Sequence, residues 1–109
     1  MARDTGLEEL VNDELRDVPG ITQKGMFGGW AWLMNGNLLC GARADGLLVR
    51  LGKGHDAWAL QLPAVAPMHS GTRRMHGWVR AEARAYGNDA LRRKLIAPAI
   101  EFVRSLPGK

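Results

Sequence analysis

The sequence has little of what several classes of protein depend on. One cysteine in 109 residues excludes an internal disulfide and is typical of a reducing compartment. No apolar run reaches the length that spans a membrane. The opening residues, MARDTGLEELVNDEL, carry acids where a signal peptide would be apolar. We therefore expect a cytoplasmic protein with no membrane segment.

Signatures of catalysis are also scarce. The sequence shows no Ser/His/Asp spacing and no pair of carboxylates that would face a cleft. Cys40 lies in an apolar strand pattern, which indicates a small core residue and not a nucleophile. His69 and His76 could face each other across a hairpin loop, but a catalytic zinc site needs a third protein ligand. We expect neither an enzyme nor a bound metal or cofactor.

The composition that is present fits one soluble domain. A hydrophobic share of 46% and a charged share of 24% are ordinary for a globular protein. A chain of 109 residues can bury roughly two thirds of its surface on folding. Residues 1–109 are accordingly interpreted as a single domain. The net charge of +4 permits an acidic partner without requiring one.

The central stretch, residues 25–51, organises the rest of the chain. It contains Asn35-Gly36 and Asp45-Gly46, two dipeptides of the kind that favours two-residue hairpin loops. Residues suited to strands flank both dipeptides. We predict a three-stranded antiparallel meander with a two-residue loop at each dipeptide.

Side chains alternate across a strand, so this register sorts the meander into two faces. The first face has no charge and is predicted to be the core: Ala31, Leu33, Leu38, Cys40, Ala42, Ala44, Leu47, Val49 and Leu51. The second combines tryptophan, leucine and arginine: Trp30, Trp32, Met34, Asn37, Leu39, Gly41, Arg43, Leu48 and Arg50. We expect function on this second face, because an exposed apolar patch usually has a partner.

A motif of four residues, Met26, Phe27, Gly28 and Gly29, leads into the meander. Adjacent glycines in a strand usually mark a bulge, a bend or a close backbone approach. A phosphate-binding loop is disfavoured because strand, and not helix, follows the glycines. We predict that Gly28 or Gly29 adopts a backbone conformation that other residues avoid, and that it bends the first strand.

Helices and a second hairpin flank the meander. A capping-box pattern begins at Thr5, and apolar residues at helical spacing follow it. Residues 55–62 can form a short helix, and residues 65–69 and 75–81 a second hairpin. Asn88 is a candidate cap for the last helix. The resulting order of elements is α-β-β-β-α-β-β-α.

Several segments together resemble one known family: residues 24–29 (KGMFGG), 44–46 (ADG), 75–79 (MHGWV) and 102–107 (FVRSLP). They are similar to the TfoX/Sxy N-terminal domain over nearly the whole chain. The resemblance implies an α+β fold of two layers, with an antiparallel sheet and helices on one face, like that of secretion chaperones. Two-domain members are associated with regulation of bacterial competence and carry a separate helical C-terminal domain, which we do not expect within these 109 residues. The family offers no established catalytic residues.

Two functions compete on these observations. The first is a non-enzymatic protein-interaction or regulatory module of the TfoX N-terminal type, whose open sheet face binds a protein such as a second copy of this chain. The alternative is a nucleic-acid-binding domain that uses the same face and the scattered arginines. Charge runs are usually only solvated surface, so we favour the protein partner. The candidate partner-binding residues are Trp30, Trp32, Leu39, Arg43, Leu48, Arg50, Trp78 and Arg80.

Overall fold

The computed structural model describes residues 4–26 and 28–108. Phe27, one residue of the predicted MFGG motif, lies outside the described residues. The described helices are α1 (Thr5–Glu14), α2 (Ala57–Leu60), α3 (Ala83–Tyr86) and α4 (Asp89–Arg104). The described strands are β1 (Ile21–Met26), β2 (Gly29–Met34), β3 (Asn37–Arg43), β4 (Gly46–Arg50), β5 (Val65–Ser70) and β6 (Arg73–Ala81).

All six strands form one antiparallel sheet in the order β1-β2-β3-β4-β6-β5. The α+β class and the order of helices and strands confirm the prediction, and β1 adds an edge strand ahead of the predicted meander. Across residues 4–26 and 28–108, no helix has the length and apolar character that crossing a membrane requires.

The helices α1 and α4 cover one face of the sheet. The main core lies between these helices and the sheet. Its buried side chains come from both helices and from β2, β3, β4 and β6: Leu7, Val11, Leu15, Trp32, Leu39, Cys40, Ala42, Leu47, Val49, Val79, Leu95, Ile96, Ala99 and Val103. Each large apolar side chain buried in this way contributes about 1.5–3 kcal/mol to folding. Helices on one face were predicted, and this core confirms it.

The two long helices begin at side-chain caps. Asp4 Oδ1 accepts a hydrogen bond from the Leu7 amide at 3.0 Å, so Asp4 caps α1, and the prediction of Thr5 as its cap is wrong. An acid at this position also interacts favourably with the positive end of the helix dipole. Asn88 caps α4 as predicted, because its side-chain oxygen accepts from the Leu91 amide at 3.0 Å.

The two predicted hairpin loops have different outcomes. Asn35 and Gly36 both have positive φ, 53° and 83°, which confirms the first loop. The second prediction is wrong: Arg43 pairs with Gly46, so the loop residues are the two between them. Gly46 serves a different purpose, because a Cβ at this position would collide with the Ala81 carbonyl oxygen on β6. The register moves by two residues, which keeps Cys40, Ala42, Leu47 and Val49 on their predicted face, whereas Leu38 and Leu39 both lie on the face opposite to the predicted one.

A bulge in β3 overturns the predicted register of β2. Leu33 pairs with Leu38 as predicted, but Trp32 then pairs with Cys40, which leaves Leu39 as an additional residue on β3. A shift of one residue moves every side chain beyond it to the opposite face. Trp30 and Trp32 therefore share the helix-covered face with Cys40, and their predicted place on the other face is wrong.

The adjacent glycines separate two strands. Gly28 has φ 72°, which confirms that one of the pair has a conformation other residues avoid. Met26 pairs with Gly29 across this turn, so the chain reverses here and does not merely bend one strand. A Cβ on Gly29 would collide with the Ala42 carbonyl oxygen, so the pairing of β2 with β3 also needs a glycine at this position.

The second hairpin is longer than predicted. Its strands continue to Ser70 and Arg73, which pair with each other, and His69 pairs with Arg74. The predicted loop of five residues is in fact a turn of two, and Gly71 in that turn has φ 62°. Arg73 and Arg74 therefore lie on β6 at the tip of the hairpin, where sheet pairing fixes their backbone.

Candidate functional site

The two tryptophans of the predicted interface, Trp30 and Trp32, belong to the main core or pack against it. The side chain of Trp32 is completely buried, and its Nε1 donates a hydrogen bond to Asn12 Oδ1 of α1 at 2.9 Å. Trp30 is half-buried against the main core, and its Nε1 donates to Gln23 Oε1 at 2.7 Å. Leu39 is also buried in the main core. None of these three residues is on the face where the sequence placed it.

The opposite face of the sheet is not open either. Leu48 and Met68 are completely buried there, and Trp78 keeps only 6% of its surface exposed. These three residues form a second cluster, and Leu38 and Met75 are the half-buried side chains that pack against it. Leu48 and Trp78 are on the predicted face, but both are buried there with Met68 of β5.

Two of the predicted arginines on this face are held by one carboxylate. Arg43 donates to Asp45 from Nε at 2.8 Å and from Nη2 at 3.0 Å. Arg80 Nε lies 3.8 Å from the same carboxylate, and its Nη1 donates to the Asp45 carbonyl oxygen at 3.1 Å. Partial burial opposes ionisation of Asp45, but the hydrogen bond and charge of Arg43, assisted by Arg80, bring its pKa below the ordinary value.

Arg50, the third predicted arginine, differs from Arg43 and Arg80 in its partners. Its Nη1 donates to the Leu38 carbonyl oxygen at 3.2 Å, and its guanidinium carbon lies 5.7 Å from the centre of the Phe102 ring. No described carboxylate forms a salt bridge with it. Among the described residues, its guanidinium is thus held by a carbonyl oxygen and an aromatic ring, without a carboxylate.

Arg50 lines a cleft whose titratable side chains are all cationic or imidazole. We call it the basic cleft; these side chains belong to Arg50, Lys53, His55, Arg73, Arg74 and His76. The cleft has a volume of about 450 Å³, and Trp78 and Phe102 supply aromatic surface. No described carboxylate pairs with any of its arginines or its lysine. The arrangement is suited to an anionic ligand.

Two glycines allow the walls of the basic cleft to meet. The Gly77 carbonyl oxygen accepts hydrogen bonds from the amides of Leu51 at 2.8 Å and Gly52 at 3.0 Å. Gly77 has φ 85°, and a Cβ on it would lie 2.6 Å from the backbone nitrogen of Lys53. A Cβ on Gly52 would lie 2.6 Å from the Phe102 ring. This close contact joins the end of β4, the middle of β6 and the last turns of α4.

A second concave region adjoins the basic cleft, and we call it the aromatic pocket. It is lined by Leu51, His55, Trp58, Pro98, Glu101 and Phe102, among others, and has a volume of about 520 Å³. His55 and Phe102 border both regions, and their ring centres are 6.4 Å apart. The two regions therefore adjoin each other near the end of α4.

Sequence reasoning identified Arg50 and Trp78 but did not bring them together with Lys53, Arg73 and Arg74. These residues are far apart in the chain, and only the pairing of β4 with β6 makes them neighbours. A glycine on each side of Lys53 is the one local signal, since it indicates a tight turn that presents the lysine. Such a signal is too common to have found the cleft alone.

The cysteine and the histidines lie in different parts of the fold. Cys40 is completely buried in the main core, which confirms its predicted role, and burial raises the pKa of its thiol far above the ordinary value. His76 lines the basic cleft, whereas His69 pairs with Arg74 near the hairpin tip. Within residues 4–26 and 28–108, no three His, Cys, Asp or Glu side chains are grouped to hold a metal ion.

The fold and the cleft define an α+β domain with a cleft lined by cationic side chains. Residues 13–103 match the family model of the TfoX N-terminal domain, so this chain belongs to the TfoX N-terminal domain family. The match confirms the resemblance seen in the sequence. No curated protein matches the chain, and no solved structure matches it.

Proposed function

We propose that this domain is a non-enzymatic regulatory or interaction module that binds nucleic acid in the basic cleft. The observation that carries the proposal is the cleft itself, where Arg50, Lys53, Arg73 and Arg74 gather without a described carboxylate partner. Membership in the TfoX N-terminal domain family supports a regulatory or interaction role in coarse terms and does not specify the partner.

The distribution of charge favours an anionic partner. Six of the eleven acidic residues lie between residues 4 and 17, in and around α1. The cationic side chains of the basic cleft come from the end of β4 and the tip of the second hairpin. Like charges that converge in a cleft repel one another, and a bound polyanion would relieve that repulsion and be attracted over several ångströms.

A protein partner on the sheet face has less support than the sequence suggested. Trp32, Leu39 and Leu48 are completely buried, and truncating them would disturb the fold before any interface. Interface hot spots are usually aromatic or arginine side chains that a partner buries. On this face such a partner would find mainly the half-buried Leu38 and Met75. We therefore favour the nucleic-acid alternative.

A salt titration of nucleic-acid binding tests the proposal. Affinity for random DNA and RNA oligonucleotides is measured by fluorescence anisotropy between low and moderate salt, for the wild type and for a double variant with Arg73→Gln and Arg74→Gln. Each lost phosphate contact lowers the slope of log affinity against log salt by about one. We expect the double variant to bind at least about tenfold more weakly at low salt, with a slope smaller by about two.

The matched control removes two positive charges elsewhere. Lys24 on β1 and Arg84 on α3 are both exposed, and no described carboxylate forms a salt bridge with either. The double variant with Lys24→Gln and Arg84→Gln has the same net charge as the cleft variant and should keep the wild-type salt slope. Equal losses in the two double variants, or no binding at low salt, would exclude the basic cleft as a nucleic-acid site.

A further inference from the structure

We propose that the domain selects single-stranded nucleic acid, with the backbone in the basic cleft and one unpaired base in the aromatic pocket. This inference rests on the proposed function and adds a distinct claim about strandedness. Binding of the phosphates alone would require only the basic cleft. The aromatic pocket, which adjoins the cleft, is the feature that a duplex would leave unused.

The two regions are joined where a nucleotide would span them. Phe102 borders both, and the guanidinium of Arg50 lies 5.7 Å from its ring centre. A phosphate held by Arg50 is thus placed beside an aromatic ring at the entrance of the aromatic pocket. His55 also lies at this boundary, so a bound nucleic acid could pass from cationic to aromatic surroundings within one nucleotide.

The aromatic pocket has the character of a base site. Trp58 and Phe102 are half-buried, so each is packed from behind and keeps exposed surface toward the pocket. Its volume of about 520 Å³ lies within the usual range for sites that take a small organic group. The carboxylate at its edge is Glu101, which forms a salt bridge of 3.0 Å with Arg104 and is thereby partly neutralised.

Strandedness follows from how bases are presented. In a duplex the bases are stacked and paired, so one must be flipped out before it can enter a concave pocket, at a cost in unstacking and unpairing. Single strands offer unstacked bases, and proteins that bind them combine a cationic groove with aromatic side chains. The basic cleft and the adjoining aromatic pocket are such a combination.

The test compares one oligonucleotide sequence as a single strand and as a duplex, in DNA and RNA forms. We expect the wild type to bind the single strand about tenfold more tightly than the duplex, in at least one of the two chemistries. Phe102→Leu keeps an apolar side chain but removes the ring, and should lower single-strand affinity about tenfold with a smaller loss of duplex affinity, so that the preference for the single strand falls. Trp30→Leu, a half-buried tryptophan outside both regions, is the control and should keep the preference.

A second readout does not depend on how Phe102→Leu folds. Base stacking should quench tryptophan fluorescence when a single strand binds, and Trp58→Phe should abolish most of that quenching while the preference for single strands persists. Equal affinity for single strand and duplex, or quenching that survives in Trp58→Phe, would overturn this inference and leave the proposed function standing. Absence of binding to every oligonucleotide would overturn both.

Discussion

Two groups of arginines in this domain have opposite surroundings. Arg92 is only 5% exposed, and its guanidinium is fully engaged: Nε lies 3.2 Å from Glu14 Oε1, Nη2 2.8 Å from Asp89 Oδ1, and Nη1 donates to the Tyr86 carbonyl oxygen at 2.8 Å. The arginines at the tip of the second hairpin are exposed, and no described carboxylate pairs with them. Within one small domain, arginine side chains therefore differ sharply in burial and in carboxylate partners.

This difference suggests a criterion for telling arginines that stabilise the fold from arginines that are available to a ligand. A buried guanidinium must find all its partners within the fold, because an uncompensated buried charge is strongly destabilising. An exposed guanidinium remains hydrated, so the lack of a carboxylate partner costs the fold little free energy. In this protein the presence or absence of a paired carboxylate distinguishes the arginine that joins α1 to α4 from those that define the basic cleft.

The largest expected effect is at the paired arginine. Arg92→Met keeps an apolar side chain of similar length but leaves Glu14, whose side chain is 13% exposed, without its main partner. Removing one member of a buried ion pair costs about 3–5 kcal/mol. We expect the free energy of unfolding, measured by urea denaturation, to fall by about 3 kcal/mol.

The neighbouring residue provides the control for that measurement. Arg93 is 71% exposed and lies 3.8 Å from the same Glu14 carboxylate. Arg93→Met should change the free energy of unfolding by about 0.5 kcal/mol or less, as is usual for an exposed ion pair. Similar losses in Arg92→Met and Arg93→Met would mean that burial does not separate the two kinds of arginine.

A smaller effect is expected at the glycine that holds the basic cleft together. Gly77→Ala places a Cβ 2.6 Å from the Lys53 backbone nitrogen and imposes φ 85° on a residue with a side chain. We expect the free energy of unfolding to fall by about 2–3 kcal/mol. Thermal or urea denaturation would measure this change. Gly54→Ala is the matched control, because Gly54 has φ 82° but open space around it, and it should lose only about 1 kcal/mol.

The smallest effect concerns the pH dependence of the surface carboxylate that holds Arg43 and Arg80. Because the pKa of Asp45 is lower in the folded protein, its contribution is present above the unfolded pKa and is lost as the pH falls through the folded pKa. Asp45→Asn should therefore be less stable than the wild type at pH 7, by about 0.5 kcal/mol for so exposed a pair. The difference in thermal midpoint should begin to shrink as the pH falls through about 4, the ordinary pKa of an aspartate, and vanish once the pH is below the folded pKa. A difference that stays as large in strong acid as at pH 7 would show that the charge of Asp45 is not its source.

Much of the architecture could be predicted because local chemistry decides it. Asn35 and Gly36 suit a loop with two positive φ angles, and Asn88 is positioned to cap α4, so both predictions are confirmed. The glycine pair before β2 signalled an unusual conformation, which Gly28 adopts. Each of these features depends on residues within a few positions of one another in the chain.

The failures have a common physical cause, because they depend on contacts distant in sequence. Gly46 resembles a turn residue, but its position is set by the Ala81 carbonyl oxygen on a strand thirty-five residues later. The bulge at Leu39 has no composition signal, yet it moves Trp32 into the main core. The basic cleft depends on β4 and β6 pairing, so its cations appeared as scattered charges in the sequence.

The additional residue in β3 makes that strand tolerant of substitution and intolerant of deletion. Exchanging Leu39 for another apolar residue alters one set of contacts, which neighbouring side chains can accommodate by repacking. Removing one residue between Gly36 and Cys40 would restore simple pairing and turn the indole of Trp32 away from α1 and α4. The length of this segment is thus constrained more tightly than its composition, and related chains are best aligned here by residue count before residue identity.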